Sequence, residues 1–207
     1  MKTQLALFCA VSMALFYCKS SAIEDKEIPS AVQAQSNPDT SDAMEMDYLT
    51  KGKGIVTEAQ AVLAKNLMGA ISQGGAEYAL EFCNSKAIQL TDSMAIVLNS
   101  TIKRVSDKPR NPTNQANDSE LSFIQSLKNQ MEKGEVPAAK INAVNGKIIG
   151  LYPIVTNTMC LQCHGKKDID IKPATLRKIN KLYPNDKATG YGVNELRGLW
   201  VVEMNKK

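Results

Sequence analysis

The sequence predicts an α+β domain in which long helices come first and a small, largely antiparallel sheet with inserted helices follows. Three observations lead to this fold class: apolar residues at helical intervals from Tyr48 onward, an Asn-Gly pair flanked by β-branched residues, and an apolar strand-like segment at residues 196–204. The chain has 207 residues, enough for one domain with a sizeable core.

The first 22 residues have the layout of a signal peptide: Lys2, an apolar run from Leu5 to Tyr17, and then small polar residues. The run is too short for a membrane span, which needs about 20 apolar residues. Cleavage after Ala22 and lipidation at Cys18 both suit the sequence. Either alternative leaves the domain in the periplasm or another extracytoplasmic compartment, and the second adds a lipid anchor to the membrane.

Three segments follow from this pattern. Residues 1–22 are predicted to be the leader, residues 23–46 a flexible polar tether without apolar periodicity, and residues 47–207 the folded domain. The formal net charge of +4 falls to +2 once Lys2 and Lys19 leave with the leader. No Lys/Arg face interleaved with aromatic residues is recognisable, so we expect no nucleic-acid partner.

The N-terminal half of the domain reads as two helices. The first covers residues 48–73 and carries a stripe of apolar residues at helical spacing, and Gly74-Gly75 ends it. A second helix is predicted over residues 76–90, with Leu80, Cys83 and Ala87 on one face. Residues 94–118 read as an apolar, strand-like start followed by a loop rich in Pro and Asn. The stripe of the first helix consists of Ile55, Ala59, Val62, Leu63, Leu67 and Ile71.

The C-terminal half contains the predicted strands. Asp118 or Ser119 caps a helix over residues 119–135 whose apolar stripe is Leu121, Ile124, Leu127 and Met131. Residues 139–155 form a hairpin with Asn145-Gly146 at its turn. Pro173 opens a short helix that ends near Leu182, residues 183–195 form a turn-rich loop, and residues 196–204 form the last strand.

The stretch "TMCLQCHGKK" at residues 158–167 contains the only histidine of the chain. C-x-x-C-H is the attachment sequence of c-type haem. The two thiols add across the haem vinyl groups, the two intervening residues set their separation, and the next residue can place its imidazole beneath the iron. The motif therefore predicts one covalently attached haem c, with thioether links at Cys160 and Cys163 and His164 as the proximal ligand.

Other chemistry uses similar residues. A zinc site needs four ligands, and beyond the leader only Cys83 could complete a Cys3His set. A thioredoxin-like dithiol or a structural disulfide between Cys160 and Cys163 leaves His164 without a role. Because His164 is the only histidine, a second histidine ligand within the chain is excluded. The sixth ligand is then a methionine, Cys83, a lysine or an open site.

Four stretches extend these observations: "ALEFC", "RNPTN", "YPIVTNTMCLQCHG" and "LYPNDKATGYGVNELRGLWVV". In this order they resemble the Tll-type family of c-type haem domains with a PAS-like fold, and the resemblance covers residues 48–204. The resemblance implies an antiparallel PAS-like sheet behind long N-terminal helices. It also implies that Cys83 is the axial ligand opposite His164. Arg110 and Arg197 become candidates for a haem propionate, and Tyr152 and Tyr191 for the pocket or the core.

These features predict an exported monohaem c-type protein that acts in one-electron transfer or redox sensing. The alternative is a haem-based gas or redox sensor that signals through a partner protein, because no output domain follows in the sequence. A redox or signalling partner is expected in either case. We expect no enzymatic activity, since the single histidine is assigned to iron and no Ser/His/Asp or paired-carboxylate arrangement is recognisable.

Overall fold

The computed structural model describes residues 38–206. Its elements are α1 (Pro38–Val97), β1 (Thr101–Val105), a 3-10 turn (Pro112–Asn114), α2 (Asp118–Glu132), β2 (Lys140–Val144), β3 (Lys147–Val155), a second 3-10 turn (Thr158–Cys160), α3 (Leu161–His164), α4 (Pro173–Leu182) and β4 (Leu196–Asn205). The predicted leader, residues 1–22, and most of the predicted tether lie outside the described residues. Helix α1 begins at Pro38, so helical structure starts before the predicted boundary at residue 46.

The four strands form one antiparallel sheet with the order β1-β4-β3-β2. The predicted hairpin at Asn145-Gly146 is confirmed: both residues have positive φ, 49° and 75°, as a two-residue turn between twisted strands requires. Strand β4 lies inside the sheet, which explains why its sequence is apolar on both faces.

One face of the sheet is covered by α1 and the other by α2. Successive residues of a strand point to opposite faces. Trp200 and Val202 of β4 therefore pack in the apolar cluster on the α1 side of the sheet (the α1 cluster), while Leu199 and Val201 pack in the cluster on the α2 side (the α2 cluster). Ile124 and Leu127 are the most deeply buried residues of the predicted α2 stripe. The result is an α+β arrangement, as the sequence predicts.

Helix α1 consists of two arms, residues 38–73 and residues 76–97, separated by non-helical backbone at Gly74 and Gly75. Gly75 has φ 70° and ψ −166°, a region that only glycine populates readily. The break falls where the sequence predicts it. The first arm packs against the sheet through Ile55 and Ala59, and the second arm buries Leu80 and Ala87.

Two local predictions are wrong. Helix α2 is capped by Asn117, not by Asp118 or Ser119: its side chain accepts from the Glu120 N–H at 2.9 Å, and the Glu120 carboxylate accepts from the Asn117 N–H at 2.9 Å. Residues 94–97 belong to α1, and the strand starts only at Thr101. Met94 and Ala95 pack on the α1 cluster as a helical continuation, and Asn99 ends it with φ 45°.

Helix α4 packs against the second arm of α1. Thr175 is buried and donates to the Glu77 carboxylate at 2.5 Å, and Lys178 forms an ion pair with Glu81. Leu80 joins Ile179 in the same apolar cluster. Within residues 38–206 we find no helix long and apolar enough to cross a bilayer.

Candidate functional site

The C-x-x-C-H motif forms a single tight turn directly after β3. Asn157 caps it, accepting from the N–H groups of Met159 at 2.9 Å and Cys160 at 3.3 Å. The one-turn helix α3 follows and closes with the Gly165 N–H bonded to the Leu161 carbonyl at 2.9 Å. At i and i+3 of a helical turn, Cys160 and Cys163 share one side. Both are half-buried free thiols, and burial raises the pKa of Cys163 to about 11.

The imidazole of His164 has a fixed orientation. Its Nδ1 lies 2.7 Å from the Ala188 carbonyl oxygen, which can only accept, so Nδ1 carries the proton and Nε2 keeps its lone pair. Burial, with the positive charges of Arg110 and Arg197, holds the pKa of His164 well below its usual value. A neutral imidazole with a free Nε2, oriented by a carbonyl at Nδ1, is the form that binds a metal ion.

Arg110 and Asp186 hold this turn in place. The Arg110 guanidinium binds both carboxylate oxygens of Asp186 at 3.1 Å and also donates to the Cys163 carbonyl at 2.6 Å. Asp186 in turn accepts from the Ala188 N–H at 2.9 Å, and the Ala188 carbonyl is the one that orients His164. The side chains of Arg110 and Asp186 are only 10% and 7% exposed, so the pair acts as a buried clamp.

Cys83 lies on the second arm of α1, where α4 packs. Burial raises the pKa of the Cys83 thiol, and the positive charges of Arg104 and Arg110 oppose that rise. Its charge in turn contributes to the raised pKa of Cys163. Leu80 of the same arm and Cys163 of the motif pack in one apolar cluster, so the structure brings the arm that carries Cys83 to the C-x-x-C-H turn, although the two are far apart in the sequence.

Tyr191 and Arg197 also belong to this neighbourhood. The Tyr191 ring meets the His164 ring edge-on at 6.4 Å between centroids, and the Arg197 guanidinium lies 5.4 Å from the Tyr191 ring centroid. Arg197 donates through Nη1 to Ser106 Oγ at 2.8 Å and to the Lys108 carbonyl at 3.2 Å. Burial lowers the pKa of Arg197, and its interaction with the Tyr191 side chain opposes that shift. In the described part of the chain, the buried Arg197 Nε and Tyr191 hydroxyl have no partner with good hydrogen-bond geometry.

Tyr152 lies elsewhere, in the core between the first arm of α1 and the sheet. Its hydroxyl donates to the Leu49 carbonyl at 3.0 Å. A Cβ at Gly52 would sit 2.0 Å from the same hydroxyl oxygen, so the close approach of the helix depends on that glycine. Of the two expected places for Tyr152, the pocket and the core, these contacts indicate the core.

Sequence reasoning missed Arg104, Asp186 and Ala188. Asp186 and Ala188 carry no local signal in a turn-rich loop, because their roles depend on contacts with Arg110 and His164. Arg104 does have a signal: it sits two residues after buried Ile102, on the face of β1 that packs toward α1. A charged side chain at an apolar-face position of a strand is unusual enough to single out.

Among residues 38–206, no three His, Cys, Asp or Glu side chains form a group that could hold a metal ion. A Cys3His zinc set is therefore not assembled in the described part of the chain.

Comparison with known proteins found a matching family and a solved structure with a similar fold. The model of the Tll0287-like family matches residues 22–205. A solved structure described as the cyanobacterial heme-protein Tll0287 superposes with a TM-score of 0.54, at 22% identity, over 83% of this chain and 98% of that one. The likeness confirms the predicted fold class. A search among curated proteins found no match. With nearly its whole length beyond residue 21 matched by the family model, the chain belongs to the Tll0287-like family.

Proposed function

We propose that this protein carries one haem c and acts in one-electron transfer or redox sensing. Cys160 and Cys163 would form the thioether links, His164 the proximal ligand and Cys83 the distal ligand. Family membership supports the haem, since the related solved protein is described as a heme-protein. The C-x-x-C-H motif supports covalent attachment of the c type.

One observation carries the proposal: the only imidazole of the chain is neutral and oriented, with Nε2 free, on the turn that presents both thiols. A structural disulfide or a dithiol would not require this arrangement. Histidine ligands commonly donate their second ring N–H to a carbonyl, which fixes the tautomer and strengthens the ligand.

The residues around the turn fit a haem. Its iron, when bound, exchanges one electron between the ferric and ferrous states. Its two propionates are anionic, and the Arg197 guanidinium, 5.4 Å from the Tyr191 ring centroid, is a candidate to pair with one of them together with the Tyr191 hydroxyl and Arg197 Nε. The half-buried Cys83 would supply a sulfur ligand from the second arm of α1. Buried N–H and O–H donors are normally hydrogen-bonded, and a propionate carboxylate would provide an acceptor for the Tyr191 hydroxyl and Arg197 Nε.

A His/Cys ligand set leaves no iron position free for a substrate. This favours electron transfer or redox sensing, and we infer that the protein is not an enzyme. A thiolate ligand donates strongly and lowers the reduction potential relative to methionine. Electrons or a signal must then pass to a partner protein, and c-type attachment suits an extracytoplasmic location, with or without a lipid anchor at Cys18.

The direct test of the ligand set is the absorption spectrum of the haem-loaded protein beside a Cys83→Ala variant. Loss of the thiolate should change the ferric spectrum and raise the reduction potential, whereas Lys86→Ala, an exposed change on the same arm, should alter neither. An unchanged ferric spectrum in Cys83→Ala would remove Cys83 from the ligand set.

Gas sensing is the second candidate function, and one observation favours it. A cavity of about 240 Å³ lies beside the site and is lined by residues that include Asn84, Arg110 and Tyr183. Asn84 follows Cys83 directly in the sequence, so we propose this cavity as the place where a diatomic gas would enter before it displaces the thiolate. Ferrous protein that binds CO at micromolar levels would support this function, and ferrous protein that ignores CO would leave the redox role.

A further inference from the structure

The positive charge of the protein is concentrated in the segment that follows the C-x-x-C-H turn. Residues 165–187 carry seven Lys and Arg side chains against three Asp and Glu. The other described residues, 38–164 and 188–206, carry fourteen Lys and Arg against fifteen Asp and Glu, so they are nearly neutral. The excess of positive charge in the described part of the chain therefore lies next to the candidate haem site.

Two of the three acids in this segment are already engaged. Asp186 is bound to Arg110, and the Asp170 carboxylate accepts from the Lys166 N–H at 2.8 Å. Both acids are partly buried, which leaves Asp168 as the exposed acid of residues 165–187. The lysines of this segment are therefore not neutralised by acids close to them in the sequence.

Three of these lysines are available to a partner. Lys166, Lys167 and Lys187 are exposed, and none of them forms an ion pair among residues 38–206. Lys166 and Lys167 come directly after the turn. Lys187 precedes Ala188, whose carbonyl oxygen lies 2.7 Å from His164 Nδ1. The two places where unpaired positive charge is exposed are thus joined to the histidine of the motif.

Three apolar side chains are exposed in the same part of the molecule. Met159, inside the turn, is 40% exposed, Ile169 is 78% exposed and Val193 is 46% exposed. The Ile169 N–H bonds to the Lys166 carbonyl at 3.4 Å, and the residue after Val193 bonds to the Thr156 carbonyl at 2.9 Å, just before the turn. Exposed apolar groups bordered by charge are typical of protein–protein interaction sites.

We propose that these exposed lysines and apolar side chains form a docking face for the acidic surface of a one-electron redox protein. The docking face consists of Lys166, Lys167, Lys187, Met159, Ile169 and Val193. The proposal rests on the proposed haem function and names the kind of partner and the place where it docks. The lysines would steer an acidic partner, and the apolar side chains would be buried on contact. One electron then passes between the iron of the bound haem and the redox centre of the partner, so one is oxidised as the other is reduced.

An anionic membrane is the other kind of acidic surface, and the packing of α4 argues against it. A basic helix that binds a membrane surface inserts its apolar side between the lipids. In α4, that side is used internally, because Ile179 packs with Leu80 of α1 in a buried cluster. A protein partner therefore fits the observations better than a lipid surface.

The first test maps where an anion binds. The full chain is loaded with haem, reduced, and titrated with hexacyanochromate(III), a paramagnetic trianion that exchanges no electron under these conditions. Backbone amide NMR signals of residues 159–169 and 187–193 should broaden before all others. Lys166→Gln/Lys167→Gln, the docking-face variant, should reduce this broadening. Lys133→Gln/Lys140→Gln is the matched control, because it removes the same number of exposed charges at the end of α2 and the start of β2.

The second test measures electron transfer with two small oxidants of opposite charge. Ferrous protein is mixed in stopped flow with anionic hexacyanoferrate(III) or with cationic tris(phenanthroline)cobalt(III). At low ionic strength, the docking-face variant should react about tenfold more slowly with the anion and no more slowly with the cation. The difference should fade in high salt, which screens exposed charges. A change in reduction potential alone would alter both rates in the same direction.

The outcomes that contradict the proposal can be told apart. If the control and the docking-face variant slow hexacyanoferrate(III) equally, net charge and not this face attracts the anion, and only the docking face is wrong. The same conclusion follows if the docking-face variant reacts as the wild type does but loses binding to phosphatidylglycerol vesicles, since the lysines then serve a membrane. If the chain acquires no haem, the proposed function fails and the docking face fails with it.

Discussion

At the scale of single residues, Arg110 and Arg197 differ in the partners of their guanidinium groups. Arg110 has its own carboxylate and holds the backbone of the C-x-x-C-H turn through the Cys163 carbonyl. Arg197 donates only to neutral groups, and its guanidinium lies 5.4 Å from the centroid of the Tyr191 ring, which meets the His164 ring edge-on. Arg110 therefore has a structural role, whereas Arg197 is hydrogen-bonded to no carboxylate among residues 38–206.

The Arg110–Asp186 clamp gives the first prediction. Asp186→Asn removes the charge that compensates a guanidinium only 10% exposed, so the free energy of unfolding should fall by about 3 kcal/mol. Urea denaturation of the haem-free protein measures it. Glu203→Gln, which breaks the more exposed pair with Lys147, is the control and should cost less than about 1 kcal/mol. Equal decreases in the free energy of unfolding of the two variants would show that the buried Arg110–Asp186 pair stabilises the protein no more than an exposed pair does.

His164 gives a prediction about pH. Its pKa is lower in the folded haem-free protein than in the unfolded chain, so the unfolded state binds the proton more readily. The corresponding stability is complete above about pH 6.5 and decreases as the pH falls below that value, by at most about 1.4 kcal/mol per pH unit. Because the chain has one histidine, His164→Gln should remove this contribution and flatten the slope between pH 6.5 and 5. A variant with the wild-type slope would contradict a buried, neutral His164.

At the scale of elements, the break in α1 lets one helix serve two purposes. The first arm covers the sheet, and the second arm carries Cys83 to α4 and the C-x-x-C-H turn. The change of direction occurs at Gly74 and Gly75, where a Cβ on Gly74 would lie 2.6 Å from the Tyr78 Cβ. The position of Cys83 therefore depends on two residues without side chains.

Substitution at the break tests this dependence. Gly75→Ala forces a side chain into a backbone region available almost only to glycine and should lower the free energy of unfolding by about 1–3 kcal/mol. Gly54→Ala, inside the first arm with no atom near the added Cβ, should raise it by about 0.5–1 kcal/mol. Thermal or urea unfolding compares them. An unchanged free energy of unfolding in Gly75→Ala would mean that α1 can form without the break at this residue.

The sequence predicts well the elements whose structure is determined by residues close to one another in the chain. Asn145-Gly146 supplies the positive φ values of the hairpin turn, and the stripe at Ile124 and Leu127 marks the buried side of α2. The wrong predictions have tertiary or competing local causes. Residues 94–97 have strand-like composition, but packing on the α1 cluster keeps them helical. At α2, Asn117 and Glu120 have the spacing of a reciprocal capping box, and this pair caps the helix in place of the neighbouring Asp and Ser.

At the scale of the whole molecule, the site combines segments that are distant in the sequence. Arg110 and Asp186 are 76 residues apart, and Thr175 and Glu77 are 98 apart. The C-x-x-C-H motif could be predicted because its five residues are contiguous. Asp186 and Ala188 could not be, since their significance lies in contacts that only the folded loops create, whereas Arg104 could have been singled out by its charge on the apolar face of β1. The assignments of Cys160, Cys163, His164 and Cys83 as haem ligands remain predictions that experiment must test.

Covalent attachment is the central claim, and one measurement tests it most directly. The full chain is produced together with the c-type haem maturation machinery, denatured in detergent, and assayed for haem that stays with the polypeptide. The wild-type protein should retain one haem per chain, and a Cys160→Ser/Cys163→Ser variant should retain none. Wild-type protein that loses its haem on denaturation, or acquires none while a control cytochrome matures in the same cells, would contradict the account.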